Sequence, residues 1–215
     1  MAIAALGASA AHADLLGPTP YLQISDSPFA ALALPDFQVE TFEDAALAPG
    51  VIASGGNVVG PGIFTDSVDA DDGTIDGSGL AGHSWYSGNT NSTMRFTFDA
   101  GALGGLPRLA GIVWTDVGAV SGPVTGVSDV IFEAFDALGA SLGTIGPVTL
   151  GDGSARGETV DDRFFGVTNA GGISAIELRM PESVDWEIDH VQWAGVPEPA
   201  TGVLLLLAAG LIRRR

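Results

Sequence analysis

The residues best equipped for chemistry in this 215-residue chain are carboxylates, and they fall in two groups. The first lies in TDSVDADDGTIDGSG, residues 65–79, where Asp66, Asp69, Asp71, Asp72 and Asp76 sit among glycines. Hard cations take several oxygen ligands, and glycine lets the backbone curl so that carbonyl groups can join the carboxylates, so calcium suits this composition. The spacing is not that of an EF-hand: Gly73 stands where the third ligand belongs and no closing glutamate follows. A solvated acidic loop with no ion is the competing expectation. The second group is Asp185, Glu187 and Asp189, whose alternation places three carboxylates about 7 Å apart on one face of a regular strand. Such a ladder repels itself unless water, an arginine or a cation compensates, and on a solvated face it implies no function.

A third stretch, GHSWYSGNTNST (82–93), holds Trp85 and Tyr86 beside Asn89 and Asn91. Rings cover the apolar faces of sugars and amides bond their hydroxyls, so Trp85, Tyr86 and Asn89 are candidate ligand-binding residues; the alternative for Trp85 is a place in the core. The opening Gly82-His83-Ser84-Trp85 begins like a nucleophile elbow, but Tyr86 occupies the position that needs glycine and no helix-forming segment follows. The other histidines, His12 and His190, lie far apart in sequence, one near the start and one in the last strand, which excludes a three-histidine metal centre. The chain has no cysteine, so disulfides, thiolate metal sites and thiol nucleophiles are excluded. A glycosidase needs two carboxylates across a cleft, and acids are too abundant here for sequence to nominate a pair. No catalytic residue is assigned and no enzyme activity is expected.

The elements that must position these residues are short and β-like. TMRFTFD sets Met94, Phe96 and Phe98 against Thr93, Arg95 and Thr97, a half-buried strand. ISAIELRM repeats the pattern with Ile176, Leu178 and Met180. LAGIVWTD and DVIFEAFD are apolar on both faces, which predicts fully buried central strands. After the latter, Asp136-Ala137-Leu138-Gly139 leads into SLGTIGPVTL as a hairpin. With DFQVETFE, RFFGVTN and VDWEIDHVQWA this gives seven or eight strands between glycine-rich loops. The fold class is therefore all-β, an antiparallel two-sheet β-sandwich, with a jelly roll as the expected topology. No helical period and no fixed repeat appears between Asp36 and Ala194. Core packing is the expectation for Trp114, Trp186 and Trp193.

The formal charge of −18 excludes nucleic acid and anionic membrane surfaces as partners, because each phosphate contact would begin with long-range repulsion. All eight basic residues are arginines, three of them the last three residues. The beginning, with Ala11-His12-Ala13 before Asp14, has the pattern a signal peptidase cuts, so residues 1–13 read as the end of a signal peptide whose true start lies upstream. Residues 14–35 are a Pro- and Ala-rich lead-in, and 36–195 form the sandwich domain. Thr201 to Ile212 would make a transmembrane helix of about 18 Å, short against the roughly 30 Å hydrocarbon core, with Arg213, Arg214 and Arg215 held on the cytoplasmic side.

Val196-Pro197-Glu198-Pro199, the apolar segment and the terminal arginines together resemble the PEP-CTERM sorting signal of Gram-negative bacteria, a tail also described as the C-terminal domain of ice-binding proteins. That resemblance, over residues 196–215, implies export through signal peptidase, transient residence in the inner membrane, cleavage by an exosortase, and release to the cell surface or exopolysaccharide matrix. TFED, FEAFDALGASLGT, FFGVTNAGGISAIEL and WEIDHVQW resemble exported jelly-roll domains of the carbohydrate-binding-module type. In such domains the first and last strands pair and carboxylates from both hold a structural calcium, which points here to Glu43, Asp44 and Asp189. The expected function is a non-catalytic structural or interaction protein of the matrix, and the alternative is a calcium-stabilised carbohydrate-binding module with extracellular polysaccharide as its partner.

Overall fold

The computed structural model describes residues 12–62, 64–70, 82–117, 128–151 and 159–195. Among these residues twelve strands form two antiparallel sheets. In chain order they are β1 (Asp14–Pro20), β2 (Gln38–Glu40), β3 (Val51–Ser54), β4 (Asn57–Val59), β5 (Ser84–Tyr86), β6 (Thr93–Phe98), β7 (Leu109–Val117), β8 (Ser128–Phe135), β9 (Ser141–Leu150), β10 (Arg163–Thr168), β11 (Ala175–Arg179) and β12 (Trp186–Ala194). One sheet has the order β1-β10-β7-β12-β5-β4, with β2 also paired to β12, and the other runs β3-β6-β11-β8-β9. The architecture is an all-β sandwich. The one α-helical turn among the described residues, Ala100–Leu103, is capped by the Asp99 side chain, which accepts from the amides of Gly101 and Ala102.

The core between the sheets follows the expected alternation. Met94, Phe96 and Phe98 of β6 point inward, as do Ile176 and Leu178 of β11. Within the seven-stranded sheet Trp114 of β7 stacks on Trp186 of β12 with ring centroids 4.9 Å apart. Trp85 meets Phe96 edge-on at 5.7 Å. All four tryptophans are buried.

Two expectations are corrected. Residues 14–35 are not a mere lead-in. Asp14–Pro20 is a strand paired to β10, and the segment after it folds across the outer face of the seven-stranded sheet, where Tyr21 and Phe29 join Val113, Phe164 and Val68 in a second apolar cluster. Burying two such rings contributes about 1.5–3 kcal/mol each. A third layer therefore covers that sheet, and β7 and β12 are buried along their whole length. DVIFEAFD, by contrast, is not a fully buried strand. Asp129, Ile131, Glu133 and Phe135 of β8 alternate with buried residues because no layer among the described residues covers the outer face of the five-stranded sheet. The Asp136–Ala140 turn does close the β8–β9 hairpin, its Asp136 carboxylate accepting from the amides of Leu138 and Ala140.

Among the described residues no helix is long and apolar enough to cross a membrane. The sorting signal, including Val196, Pro197, Glu198, Pro199, Arg213, Arg214 and Arg215, lies outside the described residues, as do Asp71, Asp72, Asp76 and most of the signal peptide.

Candidate functional site

The candidate site is built on β12, the strand that carries the alternating acids. Its register against β7 is broken twice. Glu187 pairs with Asp116 while Ile188 pairs with Trp114, leaving Thr115 as an extra residue, and a second irregularity lies between Asp189 and Gln192, where His190 has φ +45°. Bulges re-aim side chains. Trp186, Ile188 and Val191 stay in the core between the sheets, while Glu187, Asp189, His190 and Gln192 bond to the covering layer.

These side chains hold down a strap, residues 65–70. The Asp66 amide donates to Glu187 Oε2 at 2.9 Å, and the Ser84 hydroxyl donates to the same oxygen at 2.5 Å. Asp189 Oδ2 accepts from the Ser67 hydroxyl at 3.1 Å and the Val68 amide at 3.0 Å, and Oδ1 accepts from the His190 amide at 2.6 Å. His190 pairs with Asp69 through Nε2 at 3.1 Å and with the Tyr21 hydroxyl through Nδ1 at 2.9 Å. The expected solvated ladder is thus not what forms, since Glu187 is 3% exposed and Asp189 0%. Burial pushes the Glu187 carboxyl up to about 7 against the hydrogen bonds from Ser84 and Asp66, with nearby Asp185 adding to the rise. Burial likewise pushes Asp189 up to about 7, opposed by His190 and assisted by Asp69. Burial works against ionisation of Asp69 too, but the hydrogen bond and charge of His190 hold it below the ordinary range.

Beside the strap lies a cavity of about 550 Å³ lined by Phe64, Tyr86, Asn89, Asp116, Asp185 and Glu187, among others. Tyr86, Glu187 and Asp116 are direct neighbours across β5, β12 and β7, so they form one row. Such neighbours stand about 5 Å apart. The Tyr86 hydroxyl donates to Asp185 Oδ1 at 2.8 Å. Burial, that bond and the Asp185 charge raise the phenol well above its usual range.

A second cluster joins the strap to the start of β10. Asp66, Asp161 and Asp162 are all buried, each with a carboxylate oxygen within 4.8 Å of the others. Strand β7 fixes both ends: the Thr115 hydroxyl donates to the Asp66 carbonyl and the Val117 amide donates to Asp161 Oδ2. Three charges so close repel by roughly 3 kcal/mol per pair at an effective dielectric of about 20. Calcium binds oxygens at about 2.3–2.6 Å, so ligands around one ion stand no more than about 5 Å apart, a separation these oxygens meet.

The carboxylates singled out from sequence are dispersed. Asp66 lies in the triad, and Asp69 and Asp189 flank His190. Glu43 accepts from the His83 amide and pairs with its ring at 3.1 Å, while exposed Asp44 accepts from the Ala46 amide. The acid that β2 brings to β12 is Glu40, which pairs in register with Val191 and accepts from the amides of Phe42 and Ala48. Of the proposed ligand-binding residues, Tyr86 and Asn89 line the cavity, whereas Trp85 faces the core. Phe64, Asp116, Asp161 and Asp162 belong to no motif that marks them in the sequence. The consecutive acids before an apolar strand in DDRFF, and the acid closing LAGIVWTD, were the available signals.

No protein-family model matches the chain, and no curated protein and no solved structure gives a significant match.

Proposed function

We propose that this protein is an exported, non-catalytic jelly-roll module of the cell surface or exopolysaccharide matrix that binds polysaccharide at the Tyr86 cavity. Its C-terminal Pro-Glu-Pro signal and short membrane helix would hold it in the inner membrane until an exosortase cuts. The observation that carries the binding function is the cavity of about 550 Å³ in which the rings of Phe64 and Tyr86 meet the carboxylates of Asp116, Asp185 and Glu187. Rings cover the apolar faces of sugars and carboxylates accept hydroxyl hydrogen bonds, a combination suited to carbohydrate. A glycan array tests it: selective binding is expected, reduced at least about tenfold, or about 1.4 kcal/mol, in Tyr86→Ala. Binding that survives this change, or no binding to any glycan, overturns the proposal.

Calcium is the cofactor we propose for the Asp66, Asp161 and Asp162 triad, in a structural role. Calcium at a hundredfold excess over its dissociation constant should stabilise the fold by about 2.7 kcal/mol. The melting midpoint should rise with the ion, fall with chelator, and stop responding in Asp162→Asn. A midpoint indifferent to calcium removes the ion.

One observation favours a second function, glycoside hydrolysis: Glu187, pushed up to about 7, stands opposite Asp116 across two strands beside the cavity. Release of reducing sugar that is abolished in Glu187→Gln, with the fold retained, would favour it over simple binding.

A further inference from the structure

We propose that the sugar taken by the Tyr86 cavity is an amino sugar with a free, protonated amine, as in a deacetylated hexosamine polymer. This rests on the carbohydrate function above and narrows it. The charged residues lining the cavity are Asp116, Asp185 and Glu187, all acidic. Glu187 is 3% exposed, and both of its hydrogen bonds fall on Oε2, from the Asp66 amide and the Ser84 hydroxyl. Among the described residues Oε1 takes none, so a nearly buried carboxylate oxygen at the cavity wall is open to a donor brought by the ligand. A buried anionic oxygen is costly without a donor or a cation, and an ammonium group supplies both.

The cross-strand row fits the same chemistry. Tyr86, Glu187 and Asp116 follow one another across β5, β12 and β7, which sets a ring beside two carboxylates, with Asp185 held on the Tyr86 hydroxyl. An ammonium group is drawn to an aromatic face and to carboxylates alike. Phe64, 62% exposed, adds a second ring at the wall. A neutral sugar would hydrogen-bond to these groups without bringing a positive charge to them, and a uronic acid or sulfated sugar would be repelled. N-acetylation removes the positive charge and the extra donors from the amine. The chain's formal charge of −18 acts in the same direction at long range, concentrating a polycation near the protein and excluding polyanions.

The test measures binding of the full-length chain to three tetrasaccharides by titration calorimetry, at about pH 7.5, above the value of about 7 to which burial pushes Glu187 and still below the roughly 7.7–8.0 of an ordinary α-amino group. They are a glucosamine tetramer, its N-acetylated form and a glucose tetramer. The glucosamine tetramer should bind at least about tenfold more tightly than either of the others. Asp185→Asn, at a half-buried position where the amide oxygen can still accept from Tyr86, and Glu187→Gln should each remove most of that preference. Asp129→Asn, on the exposed face of β8, should keep it. Should Glu187→Gln fail to fold, Asp185→Asn decides alone. Equal or tighter binding of the neutral sugars overturns the amine inference and leaves carbohydrate binding standing. Glucosamine binding that is unchanged in both cavity variants is adsorption to an acidic surface and also overturns it. If none of the three binds, the amine inference falls, and the glycan array decides the carbohydrate function separately.

Discussion

The outer faces of the two sheets carry acids on neighbouring strands and compensate them in opposite ways. On the five-stranded sheet Arg95 pairs with Glu177 at 3.0 Å, and Arg179 reaches both Glu133 and Glu177 at 2.8 Å. The Arg95 guanidinium also lies 4.3 Å over the Phe135 ring. This face is open to water, and the two arginines answer the two glutamates. On the seven-stranded sheet Glu187 and Asp189 lie under a strap and answer to amides and hydroxyls, with one histidine nearby. Charge on the first face is neutralised within the sheet, whereas on the second it is offset by dipoles and by burial-raised affinity for protons. A lattice of the first kind is a finished surface; in a recess of the second kind a cationic ligand would compete with the proton that burial favours on Glu187.

The contrast can be broken most forcefully at Asp189. Replacing it with alanine strips acceptors from the Ser67 hydroxyl and the amides of Val68 and His190. Leaving buried donors unsatisfied should cost about 3 kcal/mol in denaturant unfolding, and a loss below about 1 kcal/mol would mean that the strap is not held there.

A smaller effect sharpens the comparison by sign. Asp189 titrates at about 7 when folded, with His190 and Asp69 as its charged neighbours, and near 3.9 when unfolded. Between these values the native state keeps a proton that the unfolded chain has released. This contribution is whole below about pH 4 and is lost as pH rises through about 7. Glu133 behaves oppositely. Hydrogen bonds from Ser141 and Arg179 hold it below its usual range, so its contribution is present above about pH 4.3 and is lost as pH falls through its folded value. The denaturation midpoint should therefore rise between about pH 8 and about pH 5.5, and that rise should shrink in Asp189→Asn. An identical profile in the variant would remove Asp189 as its source.

The smallest effect belongs to the open lattice. Glu177→Gln should cost less than about 1 kcal/mol, because partly exposed ion pairs are screened by water and salt. A loss as large as that of Asp189→Ala would erase the distinction between the faces.

Much of the framework was legible in the sequence. The alternation in TMRFTFD and AIELR is that of strands with one face on the core and one in water, and β6 and β11 take that form. The acids of β12 were legible as a ladder, but their burial was not. It depends on the strap, whose glycine-flanked sequence has no period, and on bulges set by pairing with β7, which no local pattern encodes. Trp85 and Tyr86 look alike as sugar platforms; alternation along β5 turns one to the core and the other to the cavity. Asp161 and Asp162 are not legible as a site in the sequence because their partner Asp66 lies about a hundred residues earlier, and only the fold joins them.

The position of β12 also governs when this molecule can assemble. The last described strand is not an edge: it lies between β7 and β5 and also pairs β2. A nascent chain synthesised amino terminus first therefore presents β1, β7 and β10 before the strand that unites them with β5 and β4. Completion must wait for residues 186–194 to emerge, and a chain interrupted before Trp186 would lose the middle of its larger sheet rather than a margin.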